Sequence, residues 1–276
     1  MSELEENYLA VSGRIRAACE RAGRDPAGVR LILVSKNHPR EKAVEALALG
    51  ARYFGENRVQ EVLEKFPLPG APPVPALPGP GGWPGSAKDT SEYELHFIGR
   101  LQKNKIRKVL PLATTLHSVD SLDLLEAVDR IAGDLGVRRD VFLQVNTSRE
   151  AAKGGFEPDA LLPALAGLPH LPHVRLVGLM TMGPLETVSG APAGPEEARA
   201  CFRELKRLLR AARDQAGVDA GKAGGSADGA GESAGSGGGP LALQKRLFAV
   251  AMQHQPLAAS RSPDKHLCSR ARCWCG

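Results

Sequence analysis

Residues 29–35 of the chain read Val-Arg-Leu-Ile-Leu-Val-Ser, a nearly continuous apolar run that ends immediately before Lys36. An apolar run this short, without the alternation of a half-exposed strand, is typical of a parallel strand that is covered on both faces. Apolar residues at helical spacing in 3–23 and in 41–49 predict a helix on each side of it. A buried strand between two helices predicts an α/β protein with a parallel sheet.

The same alternation of strand and helix continues along the chain. Further short apolar runs predict strands at 53–55, 95–98, 116–119, 141–145 and 174–180. Helices are predicted at 58–66, 103–109, 122–132 and 195–212. Because the carboxyl ends of parallel strands meet at one edge, this pattern predicts functional side chains at the strand ends.

Two stretches interrupt the alternation. Residues 67–90 are rich in Pro and Gly, and residues 218–240 form a Gly/Ala/Ser tract with scattered charges. Neither composition buries enough apolar surface to offset the entropy cost of ordering, so both are predicted to be mobile. We therefore predict a barrel domain at 1–217 that carries the insertion 67–90, a flexible linker at 218–240, and an atypical tail at 241–276 in place of the final strands.

The composition argues against two classes of partner. The formal net charge is +5, but basic residues are interleaved with acidic ones in the body of the chain, and only 4% of residues are aromatic. Such a pattern supplies neither a phosphate-binding stripe nor a stacking surface, so we expect no nucleic-acid partner. No apolar run reaches membrane-spanning length, and the first residues are acidic rather than typical of a targeting segment. We expect a cytoplasmic monomer without a membrane partner.

Polar motifs stand at the predicted strand ends in a definite order. They are Val34-Ser35-Lys36, the stretch 54–61 (FGENRVQE), the stretch 96–105 (HFIGRLQKNK), the stretch 117–121 (HSVDS), the stretches 144–148 (QVNTS) and 153–156 (KGGF), and the stretch 178–182 (GLMTM). Across residues 3–215, these motifs together resemble the pyridoxal-phosphate-binding homeostasis proteins, which are similar to the barrel domain of alanine racemase. The resemblance implies a (β/α)8 TIM-type barrel like the alanine racemase N-terminal domain, with pyridoxal 5'-phosphate as the cofactor.

Lys36 is the residue that the resemblance implies as the covalent anchor of the cofactor, through a Schiff base. The chemistry agrees, because a lysine reacts with an aldehyde only as the neutral amine, and a largely apolar barrel mouth with nearby cations favours that form. A strand-end lysine after an apolar run meets this need. The alternative, judged on position alone, is an ordinary solvated lysine at a strand terminus.

Asn57 and the stretch Met180, Thr181 and Met182 complete the predicted cofactor-binding residues. The amide of Asn57 can direct a donor toward the ring oxygen of the cofactor, although turn or helix-capping chemistry explains an asparagine there equally well. Met182 stands where the racemases that the chain resembles carry a histidine near the ring, so a thioether would pack against the pyridine. Both methionines could instead be plain core residues.

Three further residues are predicted to surround the site without touching the cofactor: His96, Ser118 and Asn146. His96 lies in the third predicted strand, where a hydrogen-bonded strand histidine is a better explanation than an acid or base. The basic residues in 103–108 are best explained as a solvated helix face, with phosphate steering as the alternative.

The tail departs from the family that the rest of the chain resembles. The expected seventh strand, with Ser, Gly and Met, and the eighth, with Arg-x-Gly, are not recognisable after Pro240. The resemblance thus lacks the loops that hold the phosphate and the arginine expected at the ring nitrogen. A shifted reading frame, a divergent tail and a zinc knot remain open, the last weakened by the absence of paired Cys-x-x-Cys units around His266, Cys268, Cys273 and Cys275. We expect no metal site.

Three functions follow from these observations. The first is a non-catalytic carrier that takes part in pyridoxal phosphate homeostasis, holding the cofactor on Lys36 and releasing it to client apoenzymes. The second is a weak pyridoxal-phosphate-dependent amino-acid racemase or lyase, which would need an acid or base on the other ring face that the barrel alone does not supply. The third is an inactive protein whose phosphate site was lost with the tail.

Overall fold

The computed structural model describes residues 1–67, 93–150, 153–184, 186–187, 190–215 and 248–252. The helices are α1 Glu3–Arg21, α2 Arg40–Ala48, α3 Val59–Lys65, α4 Ile106–Val109, α5 Leu122–Asp134, α6 Pro158–Ala166 and α7 Pro195–Gln215. The strands are β1 Ile32–Val34, β2 Tyr53–Glu56, β3 Glu94–Phe97, β4 Thr115–Val119, β5 Arg139–Gln144, β6 Val174–Met182 and β7 Phe248–Met252. The six predicted strands and the helices predicted around them are therefore present.

The strands form one parallel sheet, and their order in the sheet is the order of the chain, from β1 to β7. Each strand pairs with the next, as Leu33 does with Phe54 and Gln144 does with Met180. This is the winding of an α/β barrel, in which every carboxyl end lies at the same edge, here called the rim. Within the described residues, no eighth strand pairs with β1 or β7.

Two separate apolar clusters cover the two faces of the sheet. The outer cluster joins strand residues such as Phe54 and Leu143 to helix residues such as Val128 and Leu205. The inner cluster consists of Phe142, Val177 and Met180, with Met182 packed against it. Alternate residues of a strand point to opposite faces, so the sheet is buried on both, as the apolar run at 29–35 predicts.

The helices begin where short polar side chains can accept backbone hydrogen bonds. The Ser2 hydroxyl accepts the N–H of Glu5 at the start of α1, and the Ser121 hydroxyl accepts the N–H of Leu124 at the start of α5. These contacts satisfy donors that have no partner inside a helix. Ser2 and Ser121 are thus the N-cap residues of these two helices.

The prediction that no seventh strand follows residue 240 is wrong. Phe248–Met252 pairs in parallel with β6, residue by residue from Gly178 to Met182. Five residues (FAVAM) between Lys245-Arg246 and a polar stretch form a run of the length and apolarity of a buried parallel strand. Their position after a long Gly/Ala/Ser tract concealed them. The linker 218–240 and the rest of the tail lie outside the described residues, as does nearly all of the insertion 67–90.

Helix α6 was not predicted, because its sequence PDALLPALA contains two prolines. Pro158 stands in the first turn, where its missing N–H needs no partner. Pro163 lies inside the helix, whose residues Leu161 and Leu165 are buried against the outer cluster. Burial of this apolar face outweighs the local cost of the second proline.

The membrane-span expectation and the state of the cysteines can be examined in the described part of the chain. None of the helices described is long and apolar enough to cross a membrane. Cys19 and Cys201 are both buried and carry free thiols. Cys268, Cys273 and Cys275 lie outside the described residues.

Candidate functional site

The predicted site residues come from different strands and meet at the rim. Lys36 follows β1, Asn57 follows β2 and Asn146 lies just after β5, while Ser118 is the second-last residue of β4 and Met182 the last residue of β6. Because the sheet is parallel and wound in chain order, all of these positions lie at its carboxyl edge. This edge is where α/β barrels carry their active sites.

Lys36 is partly buried, and the backbone on both sides of it is held by side chains. On one side, the carbonyl oxygen of Ser35 accepts a hydrogen bond of 2.7 Å from the Lys65 ammonium. On the other side, the N–H of Asn37 donates to Glu61 Oε2 at 2.7 Å. Asn37 has a φ of 63°, in the left-handed region that residues other than glycine seldom adopt. The direction in which the Lys36 side chain leaves the backbone is therefore fixed.

A buried network of charged groups lies beneath Lys36. The Lys65 ammonium contacts Glu56 Oε1 at 2.9 Å and Glu61 Oε2 at 2.5 Å, and the Ser35 hydroxyl donates to Glu56 Oε1 at 2.7 Å. Burial raises the pKa of Glu56 despite these hydrogen bonds. Partial burial opposes ionisation of Glu61 too, but hydrogen bonds from Lys65 and the Asn37 N–H lower its pKa below the ordinary value. Glu61 is thus the firmly ionised partner of Lys65.

Asn57 lies against the end of the neighbouring strand. A Cβ atom on Gly99 would stand 2.0 Å from the carbonyl oxygen of Asn57, so only glycine permits this approach. The Ser118 hydroxyl in turn donates to the carbonyl oxygen of Gly99. These contacts tie the ends of β2, β3 and β4 together. Ser118 therefore supports the backbone next to Asn57, consistent with its predicted place around the site.

The side-chain oxygen of Asn57 is buried, and no described residue gives it a hydrogen bond. Leaving a buried amide oxygen without a hydrogen bond costs folding free energy. Rotating the amide group by 180° would put its nitrogen in the position of the oxygen. Asn57 can therefore offer an acceptor or a donor to a ligand at the rim. This feature fits the amide that the sequence analysis assigns to the ring oxygen of a pyridoxal group.

Asn146 shapes the loop that follows β5. Its side-chain amide nitrogen donates to the carbonyl oxygen of Glu150 at 3.2 Å. In the same loop, Gln144 Nε2 donates to the carbonyl oxygen of Gly154 at 2.6 Å. Gly155 has a φ of 137°, and a Cβ atom there would lie 2.9 Å from the backbone nitrogen of Asn146. Asn146 is buried and acts within the loop, which fits a residue that surrounds the site.

Met180, Thr181 and Met182 do not share one face of β6. Met180 belongs to the inner cluster and Met182 packs against it. The Thr181 hydroxyl instead lies 2.8 Å from the Thr147 hydroxyl and donates to the carbonyl oxygen of Val145 at 2.8 Å. The two methionines thus line the inner face, while Thr181 is buried in the seam between β6 and the loop after β5. A cofactor contact by Thr181 stays a prediction.

His96 forms a buried pair with His117, which the sequence analysis did not single out. His96 Nδ1 lies 2.8 Å from His117 Nε2, and the His117 ring stacks on Phe142 at 4.6 Å between ring centres. Burial, with a smaller effect of Arg30, lowers the pKa of His96 to about 3. Burial also lowers the pKa of His117 well below its ordinary value. The pair is a neutral, hydrogen-bonded part of the inner face, as the strand-histidine interpretation predicts for His96.

Lys65, Glu61 and Glu56 were not predicted as parts of the site. One signal was available, since Glu61 and Lys65 stand four residues apart on α3, the spacing of an ion pair on a helix. Nothing in the sequence places that pair under the loop after β1. His117 could have been found from its position two residues before the end of β4.

Comparison with known proteins places the chain in a family. The family model described as "Alanine racemase, N-terminal domain" matches residues 8–227. A pyridoxal phosphate homeostasis protein of Pseudomonas aeruginosa is 39% identical over 212 residues, which cover 76% of this chain and 80% of that protein. One of Aquifex aeolicus is 35% identical over 204 residues, covering 74% and 78%.

Solved structures show the same fold. The structure of PipY of Synechococcus elongatus without PLP has a TM-score of 0.59 and 32% identity, and the alignment covers 78% of this chain and 84% of PipY. The structure of PipY with PLP bound has a TM-score of 0.56 and 31% identity over the same shares. The predicted likeness to the alanine racemase N-terminal domain is therefore confirmed.

Proposed function

This chain belongs to the pyridoxal phosphate homeostasis proteins of the alanine racemase N-terminal domain family, and on that premise we propose that it binds pyridoxal 5'-phosphate at the rim, with Lys36 as the covalent anchor. When bound, the cofactor supplies an aldehyde that condenses with an amine. Lys36 provides the amine, and the residues on both sides of it fix its approach. The homeostasis role is that of a carrier that holds the reactive aldehyde and releases it.

The observation that carries this proposal is the backbone on either side of Lys36. A solvated strand-end lysine needs no such support, yet here the Ser35 carbonyl and the Asn37 N–H are both held by side chains from α3. Asn57 adds a buried side-chain oxygen that has no partner among the described residues, and Met182, which is partly exposed, adds an apolar surface for a ring. An amine on a restrained backbone, with an amide and an apolar side chain at the same rim, suits an aromatic aldehyde.

The proposed role is non-catalytic. Racemisation needs a group that exchanges a proton with the substrate on the ring face opposite Lys36. Among the described residues, the histidines nearest the inner face are His96 and His117, which are buried, neutral and hydrogen-bonded to each other. Neither therefore offers a ready proton at the rim. Met182, where the family resemblance places a racemase histidine, cannot exchange one.

A spectroscopic titration tests the anchor. The full chain, the variant Lys36→Gln and the matched control Lys108→Gln are each titrated with pyridoxal 5'-phosphate, since Lys108 is an exposed lysine on α4. We expect a visible absorbance band in the first and third proteins and its loss in Lys36→Gln. An unchanged band in Lys36→Gln would show that another lysine is the anchor. The most direct competitor is Lys153, whose ammonium donates to the carbonyl oxygen of Gly183 at 2.6 Å.

The family model's alanine racemase description keeps a weak racemase or lyase as the second candidate. Incubation of the cofactor-loaded protein with L-alanine and separation of the enantiomers distinguishes the two. We expect no D-alanine above that produced by free cofactor. Turnover that disappears in Lys36→Gln but persists in Lys108→Gln would show that the protein is an enzyme and not a carrier. Absence of cofactor binding in the full chain would favour the third function, an inactive protein.

Three narrower statements belong to the same proposal. We place the protein in the cytoplasm as a monomer and expect client apoenzymes to receive the cofactor from it. The free thiols of Cys19 and Cys201 suit a reducing compartment. Transfer is tested by mixing the loaded protein with an apoenzyme that requires pyridoxal phosphate and comparing the rate of activation with that given by an equal concentration of free cofactor.

A further inference from the structure

Lys65, the last residue of α3, carries a buried ammonium whose three donors are all used. The residue is 5% exposed. Its nitrogen lies 2.7 Å from the Ser35 carbonyl oxygen, 2.9 Å from Glu56 Oε1 and 2.5 Å from Glu61 Oε2. Lysine is seldom buried, and an ammonium has only three N–H groups to give. Lys65 therefore joins α3 and the end of β2 to the loop after β1.

The groups that accept hydrogen bonds from Lys65 belong to, or contact, the two residues next to Lys36. Ser35 precedes Lys36. Its carbonyl oxygen accepts a hydrogen bond from Lys65, and its hydroxyl donates one to Glu56. Asn37 follows Lys36, and its N–H donates to the same Glu61 oxygen that Lys65 contacts. Asn37 has a left-handed backbone, which asparagine adopts more readily than most residues, and the hydrogen bond from its N–H to Glu61 holds it there. One ammonium thus stabilises the backbone on both sides of Lys36.

We propose that Lys65 is a positioning residue for Lys36: it fixes the loop that carries the reactive amine, through the Ser35 carbonyl and through Glu61. The inference rests on the proposed function of Lys36. Lys65 acts through the backbone and not by contact with the aldehyde. In the condensation, the Lys36 nitrogen bonds to the aldehyde carbon and the aldehyde oxygen leaves as water, so no oxidant or reductant is required. A fixed amine makes that encounter productive more often.

The test compares Lys65→Met with Arg139→Met in the full chain. Arg139 is the matched control because it is also 5% exposed and its hydrogen bonds within the described residues go to backbone carbonyls, at 2.8 Å to that of Leu110. It stands at the first residue of β5, at the edge opposite the rim. Both variants should melt at lower temperature than the parent, because each loses a buried cation and leaves acceptors without a donor.

Two measurements separate positioning from stability alone. The first is amide hydrogen exchange of Asn37 in the protein without cofactor. The second is the rate at which added pyridoxal 5'-phosphate becomes bonded to Lys36, measured by borohydride trapping at successive times and mass mapping. We expect Lys65→Met to speed exchange at Asn37 and to slow bonding to Lys36 by about tenfold or more. Arg139→Met should leave both at the parent's values.

A second pair of variants applies even if Lys65→Met does not fold. Glu61→Gln keeps a side-chain oxygen that can accept the Asn37 N–H, whereas Glu61→Ala removes it. We expect Glu61→Ala to reproduce the slow bonding and Glu61→Gln to stay closer to the parent. Equal rates in Lys65→Met, Arg139→Met and the parent, or equal effects of the two Glu61 variants, overturn the proposal. An adduct on a lysine other than Lys36 in the parent overturns the proposed function instead, and the exchange at Asn37 still reports separately on the loop.

Discussion

Replacement of Gly99 by alanine should damage both stability and cofactor binding. A Cβ atom on Gly99 would lie 2.0 Å from the carbonyl oxygen of Asn57 and 2.6 Å from its carbonyl carbon. Both neighbours are backbone atoms, so no side chain can rotate to make room. Restoring an ordinary contact of at least 3.4 Å requires the ends of β2 and β3 to separate by about 1.4 Å, and overpacking of this kind costs roughly 1–3 kcal/mol of unfolding free energy. The same displacement moves Asn57, and loss of one hydrogen bond from its amide weakens cofactor binding by roughly 2- to 10-fold.

The matched control is Gly13→Ala, in the interior of α1. A Cβ atom there would meet nothing within 4 Å, and alanine is favoured over glycine inside a helix by about 0.8–1.0 kcal/mol. Urea unfolding and a pyridoxal 5'-phosphate titration are measured on the parent and both variants. We expect Gly99→Ala to be less stable with weaker binding, and Gly13→Ala to be more stable with unchanged binding. Parent-like values for Gly99→Ala would show that Asn57 and Gly99 do not meet as described.

Three other predictions follow from the described contacts and the composition. Folding depresses the pKa of both His96 and His117, so the unfolded chain binds more protons than the folded chain below about pH 6.5. As the pH falls below that value, the unfolding free energy should decrease by up to about 1.4 kcal/mol per pH unit for each histidine. Urea midpoints at pH 7.5 and pH 5 measure this decrease, which should be smaller in His117→Gln. Asp129→Ala should cost about 1.5–3 kcal/mol in thermal unfolding, since its carboxylate accepts two backbone N–H groups at the start of β6, at 2.7 Å and 3.1 Å; no change would refute that role. Limited proteolysis should cut first within 67–90 and 218–240, whose composition disfavours ordering, and protection of both would contradict the predicted domain boundaries.

Much of the fold could be predicted because each strand is a short apolar run next to a helical pattern. The run at 29–35 became β1, and the run at 174–180 became β6, two residues longer. The errors lie at α6 and β7, where the composition disfavoured the element that forms. Two prolines concealed α6, and a Gly/Ala/Ser tract concealed β7, although both segments carry the apolar residues that their places require.

The site could be predicted only in part, for a geometric reason. Motif order placed Lys36 and Asn57 at one rim, because parallel strands bring successive carboxyl ends together. The alternation of side chains along a strand also places Thr181 on the face opposite the two methionines. Lys65 is different, since its importance depends on how α3 lies against the loop after β1, and this tertiary contact has no signature in the sequence beyond the spacing from Glu61.

The most direct test of the account is to find the lysine that carries the cofactor. The full chain is incubated with pyridoxal 5'-phosphate, reduced with borohydride, digested and mapped by mass spectrometry. The account predicts one phosphopyridoxyl group, on Lys36, in the peptide that also contains Ser35 and Asn37. A modified Lys153 or any other lysine, with Lys36 unmodified, would contradict it.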